Sequence, residues 1–280
     1  MTRTRLLAAL FMTPLAIAAV LLLETPWLVA LTAVVFLAGL WEWLRLAEVD
    51  DTLHRSILLV ANLALMVAIV WASRSSAGFS FVLFQIATVV GVVWWLLAML
   101  WLKHYEFASD HDSHARMFKL AAGTLAVVPA WCALALIHGG QPDGNGHRWL
   151  LIALLIIWAA DSGAYFAGRH FGKHKLSPRI SPNKTVEGLI GGMVASVAVA
   201  LIGAPMAGAS LAQLPLVAVV VVVTVGFSVV GDLFESLLKR HVGAKDSGDL
   251  IPGHGGILDR IDSVLAALPV FALGKGLLGF

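Results

Sequence analysis

Apolar residues fall into long runs along this chain, and the polar residues collect between them. A helix needs about 20 predominantly apolar residues to cross a bilayer. About nine runs reach that length, at approximately 6–23, 27–46, 56–73, 79–102, 118–138, 149–168, 186–206, 214–238 and 259–279. The first and third are the shortest, so eight is the alternative count. The pattern predicts an all-α, polytopic membrane protein. The opening Met-Thr-Arg-Thr-Arg leads into the first run without a small-residue cleavage site, and Glu24-Thr25-Pro26 leads straight into the second. That first run therefore reads as a retained helix rather than a signal peptide.

Composition agrees. Hydrophobic residues make up 59% of the 280 and charged residues 13%, about half the usual share in a soluble domain. Mean hydropathy is +0.88. A single cysteine, Cys132, excludes an internal disulfide and any cysteine-rich metal site. It lies in an apolar run and reads as a small buried hydrophobe.

The net charge of +2 says little, but its distribution sets an orientation. With the N-terminus in the cytoplasm and nine crossings, the cytoplasmic segments hold 16 of the 19 Lys and Arg, leaving only Arg74, Arg148 and Lys275 outside. That asymmetry predicts N-in and C-out. It places two polar loops, 169–185 and 239–258, on the cytoplasmic side. The chain then divides into N-terminal scaffold helices, 1–117, and a C-terminal catalytic region, 118–280.

The first half offers little chemistry. Trp27, Trp101 and Trp149 lie near span ends and read as interfacial anchors. Glu42, inside Trp41-Glu42-Trp43, is expected to snorkel, to pair with Arg45, or to act in function. The His-rich and acidic segment from His104 to His114 fits no fixed metal spacing and reads as a solvated loop. Residues 139–147 read as a flexible connector.

Charge then enters the membrane. Asp161 lies deep in the sixth run, where a carboxylate costs several kcal/mol unless it faces protein, water or a cation. It is a functional candidate; an interhelical hydrogen bond is the alternative. The following loop carries five Lys and Arg with no acid before Glu187, which suits a topology signal or anionic headgroups. Asn183, Lys184 and Thr185 precede a helix, a placement that favours phosphate. In the eighth run Asp232, Glu235, Ser236 and Lys239 share one helical face. Asp259 and Asp262, three apart, share another. Such carboxylates suit Mg²⁺, which takes one or two of them plus water and substrate phosphate. A buried salt-bridge network, such as Asp259 with Lys239, is the alternative.

The run Ser236-Leu-Leu-Lys-Arg240, then Lys245-Asp246, then Pro252-Gly-His254-Gly-Gly-Ile-Leu-Asp259-Arg-Ile-Asp262 resembles the signature of the CDP-diacylglycerol synthase, or phosphatidate cytidylyltransferase, family. Asp161 to Arg169 and Ser181 to Gly188 are similar to it as well, so the resemblance covers roughly residues 155–265. It implies that CTP and phosphatidic acid give CDP-diacylglycerol and pyrophosphate. It implies a bacterial inner-membrane enzyme with its site facing the cytoplasm, Mg²⁺ with a second, monovalent cation such as K⁺, a homodimer, and no nucleic-acid partner. Asp232 and Asp259 are then expected as metal ligands with Asp262, and Asp246 and Asp249 as helpers. Lys239, Arg240, Lys245 and Arg260 would hold phosphates, His254 would donate to phosphate, and Asp161, Asn183, Lys184 and Ser236 would contact substrate.

Three rivals remain at this point. A CTP-dependent kinase of a lipid alcohol would transfer the γ-phosphate instead. A CDP-alcohol phosphotransferase would need an Asp-Gly-x-x-Ala-Arg run, which is absent. A cation-coupled transporter would use Asp161 and Asp232 at mid-membrane, but here the charges cluster on one side.

Overall fold

The apolar runs become helices because a backbone in lipid must satisfy its own hydrogen bonds. The computed structural model describes residues 2–76, 78–140, 144–248 and 255–280. Nine helices follow in order: α1 (Thr2–Leu22), α2 (Thr25–Leu46), α3 (Thr52–Ala72), α4 (Val82–Lys103), α5 (Ser113–Gly139), α6 (Gly146–Phe171), α7 (Val186–Met206), α8 (Leu214–His241) and α9 (Leu258–Leu278). Eight of them, α2 to α9, are long and apolar enough to cross a membrane among the described residues, while α1 contributes the shorter apolar stretch Met12–Leu22. Helix starts follow local chemistry. Pro26 opens α2, Asp51 caps α3 by accepting from Leu53 N at 3.0 Å, and Asp112 caps α5 by accepting from Ala115 N at 2.7 Å.

The fold is not purely helical. Arg74–Ser75 (β1) pairs with Gly78–Phe79 (β2), and Lys175–Ser177 (β3) pairs with Ser181–Thr185 (β4), each antiparallel. The second hairpin organises the polar loop that charge alone describes only as a cationic connector.

Helices α5 and α9 form the buried centre, with α4 and α2 against them. Helix α3 fully buries only Asn62 and Met66, packs Leu58, Leu59, Ile69 and Val70 half-buried against the core, and turns most of its remaining surface outward. Helices α6 and α7 approach most closely because their contact is built from small residues. A Cβ on Gly192 would lie 2.7 Å from the Ala160 carbonyl, and one on Gly163 would lie 2.7 Å from the Gly191 carbonyl. Ser196 Oγ donates across this seam to Ile156 O at 2.6 Å. The packing crosses residue 117, since α5 rests on α4 and α2 as well as on α6 and α9.

Two of the three tryptophans expected as interfacial anchors sit elsewhere. Trp27 is exposed, but Trp101 and Trp149 are buried. Trp101 meets Phe234 edge-on at 5.2 Å, inside a cluster with Trp94 and Trp95. Trp149 lies under the Lys275 ammonium at 4.8 Å and packs on Phe280. Aromatic packing and a cation over a ring retain them in the protein rather than at the lipid interface.

The His104–His114 segment is largely exposed, as expected for a solvated loop. Its His111 pairs with Glu48 in the α2–α3 turn, which also accepts from the fully buried Lys119 at 3.0 Å. Burial pushes the Glu48 carboxyl up, but the hydrogen bonds from Lys119 and His111 outweigh it and hold it below its ordinary 4.5. A carboxyl depressed by folding stabilises the native state above its unfolded value, and that contribution is lost as pH falls through the folded value. Acidification below about pH 4.5 is therefore expected to lower the melting temperature more for the parent protein than for Glu48→Gln. Equal acid slopes for the two in detergent melts would refute this.

Candidate active site

Polar residues inside apolar helices need partners, and α8 supplies the first set. Glu235 and Lys239 stand one turn apart, with Lys239 Nζ 2.6 Å from Glu235 Oε2. The same ammonium donates to Asp259 Oδ1 on α9 at 2.7 Å. Glu235 is 1% exposed, and the side chains of Lys239 and Asp259 are 12% and 13% exposed. One ammonium thus serves two buried carboxyl groups from neighbouring helices.

Asp259 also ties down the loop between α8 and α9. Its Oδ2 accepts from Ser247 N at 3.0 Å, Ser247 Oγ at 2.8 Å and Gly256 N at 2.8 Å. Gly255 beside it has φ +81°, and a Cβ there would lie 2.9 Å from Asp259 Oδ2 and 3.6 Å from Asp246 Cβ. Glycine thus permits both the left-handed turn and the close passage of backbone past two acids.

A second set lies beside the first. Asp232, one turn before Ser236 on α8, pairs with Lys184 of β4 and accepts from Ser236 Oγ at 3.4 Å. Lys184 reaches it because the β3–β4 hairpin is fixed at three points. Arg240 Nε donates to Ile180 O at 3.2 Å, Thr185 caps α7 by accepting from Gly188 N at 3.1 Å, and Glu187 accepts from Lys173 N at 3.0 Å. A cavity of about 400 Å³ opens between α6, the hairpin, α7 and α8, lined among others by Asp161, Tyr165, Ser181, Asn183, Lys184 and Asp232. Asp161 is exposed to it. Asp262 on α9 interacts electrostatically with Asp232, Lys184 and Asp161, and Gly231 lets α8 pass closely against its carbonyl.

The sequence-expected residues thus divide. Asp161, Asn183, Lys184, Asp232 and Ser236 gather at the cavity, with Asp262 in electrostatic reach. Lys239 and Asp259 form the adjoining buried pair, which realises the salt bridge held open as an alternative. Lys245, Asp246 and Arg260 are exposed on the loop and on the first turn of α9, and Arg240 is exposed while it holds the hairpin. Asp249 and His254 lie outside the described residues. Glu235 shares the expected face of α8 without having been assigned a role. Ser247 escapes sequence reasoning, whereas Glu42, marked by a carboxylate within an apolar run, is buried against Ser247 and Leu258 rather than snorkelling to the surface.

Among the described residues no three acidic, histidine or cysteine side chains stand close enough to form a ready-made metal cage. The donors that are present, the carboxylates of Asp161, Asp232 and Asp262 with Lys184 among them, are hard oxygens. They fit an ion that keeps water and substrate phosphate in its shell rather than one fully enclosed by protein.

Comparison with known proteins gives the family. A model of the cytidylyltransferase family matches residues 3–275. The chain is 39% identical over 273 residues to a phosphatidate cytidylyltransferase of Pseudomonas aeruginosa, covering 97% of this chain and 96% of that one. It is 36% identical over 284 residues to the Haemophilus influenzae phosphatidate cytidylyltransferase, covering 97% and 98%. With the Bacillus subtilis phosphatidate cytidylyltransferase it shares 48% identity over 144 residues, about half of each chain. A match that runs nearly end to end takes in the scaffold helices as well as the polar cavity, and on that ground this chain belongs to the cytidylyltransferase family.

Proposed function

We propose that this protein transfers the cytidylyl group of CTP to phosphatidic acid, giving CDP-diacylglycerol and pyrophosphate in phospholipid biosynthesis. The observation that carries the reading is the near full-length similarity to phosphatidate cytidylyltransferases. The chemistry suits the site. A phosphatidate oxygen forms a bond to the α-phosphorus of CTP, and the bond from that phosphorus to the bridging oxygen breaks, its electron pair leaving with pyrophosphate. Phosphatidate is already an anion, so no protein nucleophile and no strong base are needed. The obstacle is repulsion between two anions, which cationic side chains at fixed positions reduce.

In this reading Lys184 and Asn183 meet phosphate at the cavity, and Lys239 presents an ammonium from the buried side. Arg240, Lys245 and Arg260, all exposed, would supply further positive charge for the triphosphate or the lipid headgroup. Asp232 and Asp262, with Asp161 near them, would hold Mg²⁺; Asp259, also expected as a ligand, has both oxygens engaged by Lys239, Ser247 and Gly256. A bound divalent ion supplies charge neutralisation on phosphate oxygens. The resemblance in sequence is what supports a monovalent second cation and a homodimer.

The site residues come from the C-terminal half of α6, the start of α7, the C-terminal half of α8 and the start of α9, which meet at one end of the bundle. The distribution of Lys and Arg supports placing that end at the cytoplasmic face of a bacterial inner membrane, where CTP arrives from water and phosphatidate presents its headgroup from the bilayer. Purified protein in detergent, given phosphatidic acid, Mg²⁺ and CTP labelled either at the α- or at the γ-phosphorus, tests the reading. Label from the α-position alone is expected in the chloroform-extractable lipid. Label from the γ-position in lipid would instead identify a kinase.

A further inference from the structure

Glu42 lies in α2, about 200 residues before the catalytic loop, yet its side chain ends inside that loop. The residue is 2% exposed. Its Oε2 accepts from Leu258 N, at the first turn of α9, at 2.8 Å, and from Ser247 Oγ at 3.1 Å. The Ser247 hydroxyl also lies 2.8 Å from Asp259 Oδ2, so its single proton is shared between the two carboxylates, while its backbone N donates to Asp259 Oδ2 at 3.0 Å. The two glycines that flank the loop, Gly248 and Gly256, are shaped to this carboxylate: a Cβ on either would collide with Glu42 oxygens. For Gly248 the three nearest obstacles are all Glu42 atoms.

Helix α2 is held so that this side chain cannot drift. Gly39, one turn earlier, lets Ile261 of α9 press against the helix. Trp43, the next residue, donates its indole N–H to Lys119 O at 2.8 Å and stacks on Phe234 at 5.8 Å, next to Glu235. The helix therefore touches α8 just before the loop and α9 just after it, and Glu42 fills the space between. A buried carboxylate with these contacts is an acceptor fixed in place for two donors of the loop.

We propose that Glu42 is a positioning residue for cytidylyl transfer: it holds Ser247 and the first turn of α9 together and, through Ser247, sets the orientation of Asp259 and hence of Lys239. The N-terminal helices then have a catalytic reason to be present. The proposal rests on the reading that this loop belongs to the active site.

The test uses full-length protein in detergent with phosphatidic acid and CTP. Glu42→Ala is expected to lower kcat by on the order of 10²-fold, the effect of misplacing reacting groups by about 1 Å, with a much smaller change in KM for CTP. Glu42→Gln, whose amide oxygen can still accept from Leu258 N, is expected to recover most of that loss. Gly248→Ala is expected to lower kcat in the parent but to add little in the Glu42→Ala background, because the obstacle it meets is gone. A parental kcat in Glu42→Ala, or fully multiplicative losses in the double variant, overturns the proposal. If Glu42→Ala does not accumulate, Gly248→Ala alone decides, and a parental kcat there overturns it. Lys239→Ala and Asp259→Asn run alongside. Activity persisting in both would defeat the active-site reading itself, whereas their loss with Glu42→Ala unaffected would defeat only the role of Glu42.

Discussion

Asp232→Asn is expected to lower kcat/KM for cytidylyl transfer by about 10³-fold while leaving the protein folded. The substitution keeps the shape of the side chain and an oxygen that can accept from Ser236 Oγ. What it removes is the charge that faces Lys184, Asp161 and Asp262 across the cavity. Lys184 is 24% exposed in this pair, so water can replace its partner and the stability cost is small, within about 1 kcal/mol. On the proposed reading, the anionic ligand for Mg²⁺ is lost and only a neutral amide oxygen stands in its place. Initial rates over a range of Mg²⁺ concentrations, with a detergent melt as control, read both quantities. A rate within twofold of the parent would remove Asp232 from the reaction.

The second large effect lies on the same helix face but has a different cause. Lys239→Met takes the ammonium from between Glu235 and Asp259, and both carboxylates are too buried for water to compensate. Removing one partner of a buried ionic group costs about 3–5 kcal/mol. The variant is therefore expected to melt far below the parent, or to fail to accumulate in membranes. Adding Glu235→Gln removes one of the stranded charges and is expected to restore much of the stability. It is not expected to restore transfer, because the ammonium proposed to meet phosphate is still missing. Stability and activity would thus separate in the double variant. Recovery of both together would show that Lys239 serves only to neutralise its neighbours.

Much of this arrangement is legible in the residues themselves. The helix ends of α6 to α9 fall within a few residues of the apolar runs, since the length of a membrane crossing is imposed by the bilayer. The face shared by Asp232, Glu235, Ser236 and Lys239 follows from helical periodicity and is present in space. Other features depend on partners far along the chain. Whether Asp259 turns toward Asp232 or toward Lys239 is decided by Ser247 and Gly256, and no local spacing carries that choice. Trp101 and Trp149 look like anchors because they lie near span ends, but Phe234 and Lys275 draw them inward. The hairpin at 175–185 is hidden by its charge, and its closure rests on Arg240, 60 residues away.

The contacts of Glu42 span 205 and 216 positions along the chain, and synthesis runs in one direction. The N-terminal helices leave the ribosome and enter the bilayer long before their counterparts exist. Glu42 Oε2 therefore lacks its two donors until Ser247 and Leu258 are made. The catalytic loop, in turn, has its seat prepared before it is translated. A protein halted before α9 would hold Ser247 but leave Glu42 without the Leu258 N–H that joins α2 to α9.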